Sequence, residues 1–263
     1  MKNHPILPFL IILLIAAFCS CSKEYSASGF TKTTTTPVDD SFNLTINFRP
    51  MVDTSKLSFD STYENFWKEE YKVSAFKFYV SNFNLINTDS GRAYHVDTGK
   101  VFLVDAKDST TWSVKLLGTP FIYNRISFLI GVDSLHNVNS TKTGALDPAK
   151  GMYWTPTTGY IMAKLEGNAG NTGFAYNIGG FSGDYSVLRK PTLLFPFEQY
   201  LQISKTAGSK SVVNINANIN SWFYNPHQIK IAVNPTCTST GLMAKDISEN
   251  YSNMFSVDTV INN

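Results

Sequence analysis

Phe42, Leu44, Ile46 and Phe48 are apolar, and the residues between them are polar or small. A period of two places the four side chains on one face of a strand. The same alternation recurs at Ile126, Phe128, Ile130 and Val132. It is cleanest at Val213, Ile215, Ala217 and Ile219, where Asn214, Asn216, Asn218 and Asn220 occupy the other face. Such a strand has one buried and one wet side. Tyr71 to Ile86 is a longer strand-like stretch whose alternation changes phase between Ala75 and Phe76, as a bulge or bend produces. Val101–Val104, Trp112–Leu116, Tyr160–Leu165 and Phe174–Ile178 are shorter strand candidates. Helical spacing is confined to Met243, Ile247, Tyr251 and Met254, with 60–71 either a short helix or an extended loop. Many short strands between Gly, Pro and Asn turns predict a sandwich or barrel. The expected fold is all-β: an antiparallel β-sandwich with long glycine-rich loops and a short C-terminal helix.

The N-terminus departs from this pattern. Lys2 and His4 form a weakly basic head, an apolar run follows from Ile6 to Phe18, and Ser20 precedes Cys21. A basic head, a short apolar core and a small residue before the cut make a secretory signal. The core falls short of the roughly 20 residues a spanning helix needs. A cysteine directly after such a core predicts lipoprotein processing. Cys21 fits better than Cys19, because small Ser20 precedes it whereas bulky Phe18 precedes Cys19. Residues 1–20 are therefore expected to be the signal peptide, 21–40 a flexible Ser/Thr-rich tether containing Thr33 to Thr36 and Pro37, and 41–263 the folded domain. Acyl chains contribute about 0.8 kcal/mol per buried methylene, so the membrane is a firm partner through the lipid. Lys23 and Glu24 directly after the anchor resemble the surface-export signal of some Bacteroidetes lipoproteins. The expected address is the outer membrane, with the domain facing the periplasm or the cell surface.

Composition narrows the function. Charged residues make up 16% of the chain and aromatics 14%, which favours strands and turns. A net charge of +2, evenly spread, argues against nucleic acid as a partner. With Cys19 in the leader and Cys21 lipidated, Cys237 stands alone, so neither a disulfide nor a multi-cysteine metal site is expected within the mature chain. No H-E-x-x-H, G-x-S-x-G or phosphate-loop pattern is present, and His95, His136 and His227 are far apart. These absences predict a protein that is not an enzyme and has no organic cofactor.

Chemistry concentrates between Gly131 and Gly180. The segment contains Gly131-Val132-Asp133-Ser134, Gly144-Ala145-Leu146-Asp147-Pro148, Gly151-Met152-Tyr153-Trp154, Gly159-Tyr160, Lys164-Leu165-Glu166-Gly167 and Asn177-Ile178-Gly179-Gly180. Glycine at this density implies tight turns or close backbone approach. Asp133, Asp147 and Glu166 have the chemistry of calcium ligands. Turn capping is the more common use of such residues and is the expectation. Lys164 and Glu166 share a strand face, which predicts an ion pair rather than acid–base catalysis.

The ordered series, with Phe78-Tyr79-Val80-Ser81-Asn82-Phe83 before it and the Asn250 to Phe255 tail after it, resembles the MbnP-like copper-binding family. The positions that carry the resemblance include Asp133, Asp147, Trp154, Tyr160, Glu166 and Asn177. It implies an exported β-sandwich. Some members bind copper through histidines and a tryptophan oxidised to kynurenine, with a dihaem peroxidase-like protein as the oxidising partner. This chain departs from that pattern at three metal-site positions. Phe102 stands where many members have histidine, Pro156 where many have a second tryptophan, and Asn177 where many have histidine before Ile-Gly-Gly. Neither phenyl nor pyrrolidine offers copper a lone pair, and an amide is a poor ligand beside imidazole. The expectation is an inherited copper role whose site is degenerate here, with His95, His136 and Trp154 the weak candidates for a relocated one. The alternative is a surface module that binds a carbohydrate, a peptide or a partner lipoprotein, with Tyr153, Trp154 and Tyr160 as a stacking platform.

Overall fold

The computed structural model describes residues 41–139 and 141–263. The expected signal peptide, Cys21 and the tether lie outside the described residues. Strand β1 (Leu44–Val52) opens the domain, and β2 (Glu70–Asn87) and β3 (Arg92–Asp105) form a long hairpin. Then come β4 (Ser113–Leu116), β5 (Arg125–Ile130) and the short helix α1 (Ser134–Asn139). Strands β6 (Gly159–Ala169) and β7 (Thr172–Gly179) form a second hairpin. They are followed by β8 (Thr192–Leu194), β9 (Ser211–Asn218), β10 (Thr236–Cys237), helix α2 (Leu242–Tyr251) and β11 (Phe255–Ile261).

Two sheets face each other. The smaller runs β11–β9–β1, with β4 on the far edge of β1. The larger is organised on β2, which pairs with β6 along its first half, with β5 along its second, and with β3 on its opposite edge. Phe48 of β1 lies edge-on to Phe78 of β2 and Phe128 of β5, with ring centroids 5.7 and 5.4 Å apart. These contacts join the two inner faces into one aromatic core. The sandwich is therefore as expected, but its pairing is mixed. β1 runs parallel to β9, and β7 runs parallel to β10. Alternation reveals which face of a strand is buried and carries no information on a partner's direction.

Three local readings change. The phase shift in β2 sits at Ser74, one residue earlier than the alternation suggests, opposite the Glu166/Gly167 step of β6. A second irregularity follows at Asn82, which adopts a left-handed φ of 50°. Residues 60–71 are neither helix nor open loop. Tyr63 and Glu64 pair back onto Tyr71 and Glu70, and Asn65 Oδ1 accepts the N–H groups of Trp67 and Glu69 to close the turn. Finally, α2 is not the last element. β11 follows it and pairs with β9, with Asp258 as an extra residue between Val257 and Thr259. That bulge breaks the period of two, which hid the strand in the sequence.

The glycine-rich connection covers the outer face of the large sheet. Tyr79 follows Phe78 and so points away from the inter-sheet core. Its hydroxyl donates to Ala145 O at 3.0 Å, and that of Tyr160 donates to Leu146 O at 2.9 Å. Leu146, Met152 and Val132 are buried beneath this cover.

Candidate functional site

The residues that carry the family resemblance line this covered outer face, and the carboxylates among them each have a structural partner. Asp147 caps the turn Pro148–Lys150 by accepting from Ala149 N–H at 2.9 Å. Asp133 Oδ1 accepts from His136 N–H at 2.9 Å, and its Oδ2 meets His136 Nδ1 at 2.8 Å and Asn82 Nδ2 at 3.2 Å. Burial alone raises the Asp133 carboxyl, but these hydrogen bonds outweigh it and hold the group below the usual carboxylate range. Glu166 pairs with Lys164 at 3.4 Å, as the strand spacing predicts. The three carboxylates thus cap and pair in separate places rather than converging on a calcium ion.

Tyr160 is fully buried, with its ring edge-on to Tyr79 at 5.8 Å. It belongs to the core, so the platform of Tyr153, Trp154 and Tyr160 does not form. Trp154 is half-buried against β7. A methyl group on Gly179 would sit 2.5 Å from Trp154 Cζ3, so glycine is what allows the indole its close approach.

Register decides which copper-position residues can meet. Asp105, Lys77, Lys164 and Asn177 are cross-strand neighbours in a row over β3, β2, β6 and β7, so they share the outer face. Lys77 Nζ lies 2.8 Å from Asp105 and donates to Lys150 O at 3.1 Å. Asn177 Oδ1 is buried and has no hydrogen-bond partner. Phe102 instead pairs with Val80, which turns it to the opposite face of the sheet beside Phe83, 6.2 Å between centroids. Pro156 lies on an exposed turn. The outer face beside Asn177 therefore carries an amide and two ammonium groups, each ammonium paired with a carboxylate.

The weak candidates do not assemble either. His95 is exposed beside a shallow recess of about 340 Å³ lined by Asn82, Leu129 and Lys190. His136 is held between Asp133 and Gly99 O, with Nε2 3.1 Å from the carbonyl. Among the described residues, the three-membered set of His, Asp, Glu or Cys ligand atoms that converges is His227, Asp246 and Glu249. Sequence reasoning passed over it. Asp246 and Glu249 are three apart on α2 and share a face, which is the signal that could have drawn attention to them. Nothing local ties His227 to that helix. Cys237 is buried, which pushes its thiol up to about 11 and leaves it unreactive near neutral pH.

Fold and site together define a two-sheet β protein in which a glycine-rich connection roofs one sheet. The MbnP family profile matches residues 41–239, and the chain belongs to the MbnP family. The match stops short of the Asn250 to Phe255 tail. MbnP from Methylosinus trichosporium is a solved structure to which this chain is similar, at 10% identity and a TM-score of 0.48, over 83% of this chain and 97% of that one. None of the curated proteins matches the chain.

Proposed function

We propose that this is an exported, non-enzymatic MbnP-family lipoprotein, held at the outer membrane through Cys21, in which the family's copper position no longer binds copper. The observation that carries the proposal is the row Lys77–Lys164–Asn177 on the outer sheet face. Lys77 and Lys164 already engage the carboxylates of Asp105 and Glu166, and the Asn177 amide is a weak donor to copper. Phe102, turned to the other face, cannot contribute even if replaced by histidine. A dihaem peroxidase-like partner would have Trp154 as its substrate in this family. Without a copper site for the oxidised ring to complete, Trp154 is expected to stay an unmodified indole.

Cu(I) is the discriminating probe, because a soft cation gains little from carboxylates elsewhere on the surface. Titrating the full-length protein in detergent against a competing Cu(I) chelator is expected to show no sub-micromolar site. Intact mass after secretion is expected to show Trp154 without the gain of kynurenine. A sub-micromolar Cu(I) site that disappears in His95→Ala or His136→Ala overturns the proposal.

An open cleft of about 770 Å³ on the polar face of the small sheet supports the alternative, a carbohydrate-binding module. Asn47, Arg49, Asp53, Trp112, Asn216 and Asp258 line it, combining a half-buried indole with amides and a charged pair at 2.7 Å. Lys56 Nζ sits 5.0 Å from the Trp112 ring and must move aside for a sugar to stack there. Under this alternative, glycan-array binding by the native protein is lost in Trp112→Ala; an array without hits removes it.

A further inference from the structure

The convergent set on α2 lies largely outside the matched family region, since Asp246 and Glu249 follow residue 239. We propose that His227, Asp246 and Glu249 form a binding site for a first-row divalent cation, with Zn²⁺ the best fit, and that water completes the coordination. One imidazole nitrogen and two carboxylate oxygens suit zinc. They suit neither Cu(I), which prefers sulfur and imidazole, nor Mg²⁺ and Ca²⁺, which take oxygen only.

The spacing is close to what zinc requires. The three donor atoms lie within 4.8 Å of one another. His227 Nε2 is 2.6 Å from Glu249 Oε2 and 3.7 Å from Asp246 Oδ1. Ligands about 2.0–2.1 Å from a tetrahedral zinc sit roughly 3.3 Å apart. The two observed spans bracket that separation, so a small swing of the imidazole admits the ion. Side-chain exposures of 33%, 26% and 33% for His227, Asp246 and Glu249 leave the site open to water and to an incoming cation.

The support is built into the fold. Asn250, fully buried, accepts from His227 N–H at 2.8 Å. Its Nδ2 donates to His227 O at 2.8 Å and to Trp222 O at 3.0 Å. The residue next to Glu249 thus locks the backbone that presents His227 onto the helix that presents both carboxylates, which is the role of an orienting outer shell. Arg189 Nη2 approaches Glu249 Oε1 at 3.4 Å, leaving Oε2 for the site. The His227 hydrogen bond holds the Glu249 carboxyl below its usual range, with Arg189 and Lys245 adding to the effect and burial opposing it.

The test is a Zn²⁺ titration of chelator-stripped, full-length protein in detergent, read by competition with a chromophoric chelator. One equivalent of Zn²⁺ is expected to bind in the micromolar range or tighter. His227→Ala and Asp246→Asn are each expected to weaken it by at least about 10-fold, whereas His95→Ala leaves it unchanged. Asp246→Asn changes little besides charge, so it keeps the test decisive if His227→Ala folds poorly. Absence of micromolar Zn²⁺ binding, or retention of wild-type affinity in Asp246→Asn, reduces the cluster to an ion-pair network and overturns the proposal. A sub-micromolar Cu(I) site that persists in His227→Ala sinks the copper-loss reading and leaves the zinc site standing.

Discussion

Gly167→Ala will destabilise the domain by about 3 kcal/mol, the upper end of the range for forced overpacking. A Cβ on Gly167 lands inside the van der Waals shell of Lys72 O and 2.8 Å from two ring atoms of Phe174. The Lys72 oxygen belongs to the backbone of β2, at the bulge where Ser74 is the extra residue, so it can retreat only by opening the β2–β6 ladder. Phe174 is buried and edge-on to Tyr71 at 6.1 Å. The cause is space, not dihedral strain. Gly170 supplies the contrast: its φ is +58° and nothing lies within 4 Å of an added methyl. Gly170→Ala therefore costs only the left-handed backbone penalty of about 1–2 kcal/mol. Denaturant unfolding of both variants measures the difference as a shift in midpoint at constant slope. Equal midpoints for the two would mean that β2 does not bulge against Gly167.

That bulge marks how far alternation can be read. Leu44, Ile46 and Phe48, or Val213, Ile215 and Ala217, announce their buried face because each strand has one dry and one wet side. β2 is harder to read. Covered on both faces, it is buried almost without a break from Phe78 to Ile86, polar Ser81 and Asn84 included, and its face can be assigned only from its partners. β11 was hidden for the opposite reason. It is short, partly wet and interrupted at Asp258, and Met254 before it continues the spacing of α2. The parallel pairing of β1 with β9 joins residues such as Leu44 and Ser211, far apart in the chain, and no local pattern encodes it.

The site was legible by residue type and illegible by place. Asp147 capping its own turn and Lys164 pairing with Glu166 are local events, and spacing predicts them. Phe102 and Asn177 both stand where the resemblance implies histidine, yet the register puts them on opposite faces of one sheet. Tyr160, read as a binding platform, is core because its hydroxyl finds Leu146 O under the roof. An aromatic carries no mark in sequence of whether a loop will fold over it. His227 meets α2 through the Glu249 carboxylate and through Asn250, a buried amide whose three hydrogen bonds are all to groups distant in the chain.

Phe48→Ala is expected to cost about 3–5 kcal/mol, the loss for deleting a buried phenyl ring. Phe48 has no exposed surface and meets Phe78 and Phe128 of the large sheet and Phe255 of β11, all edge-on. Each such pair adds about 0.5–1.5 kcal/mol beyond area burial. Phe66, 61% exposed and stacked on Tyr224 at 4.9 Å, is the control. Phe66→Ala removes little buried area, so its cost should stay within about 1 kcal/mol. The decisive measurement is a double-mutant cycle. Phe255 touches Phe48 at 5.8 Å, Phe78 at 5.3 Å and Phe128 at 5.0 Å. Phe48→Ala and Phe255→Ala therefore empty one shared cavity, and their effects should depart from additivity by at least about 0.5 kcal/mol. Strict additivity would place the start of β11 away from the core and leave the small sheet without its closing strand.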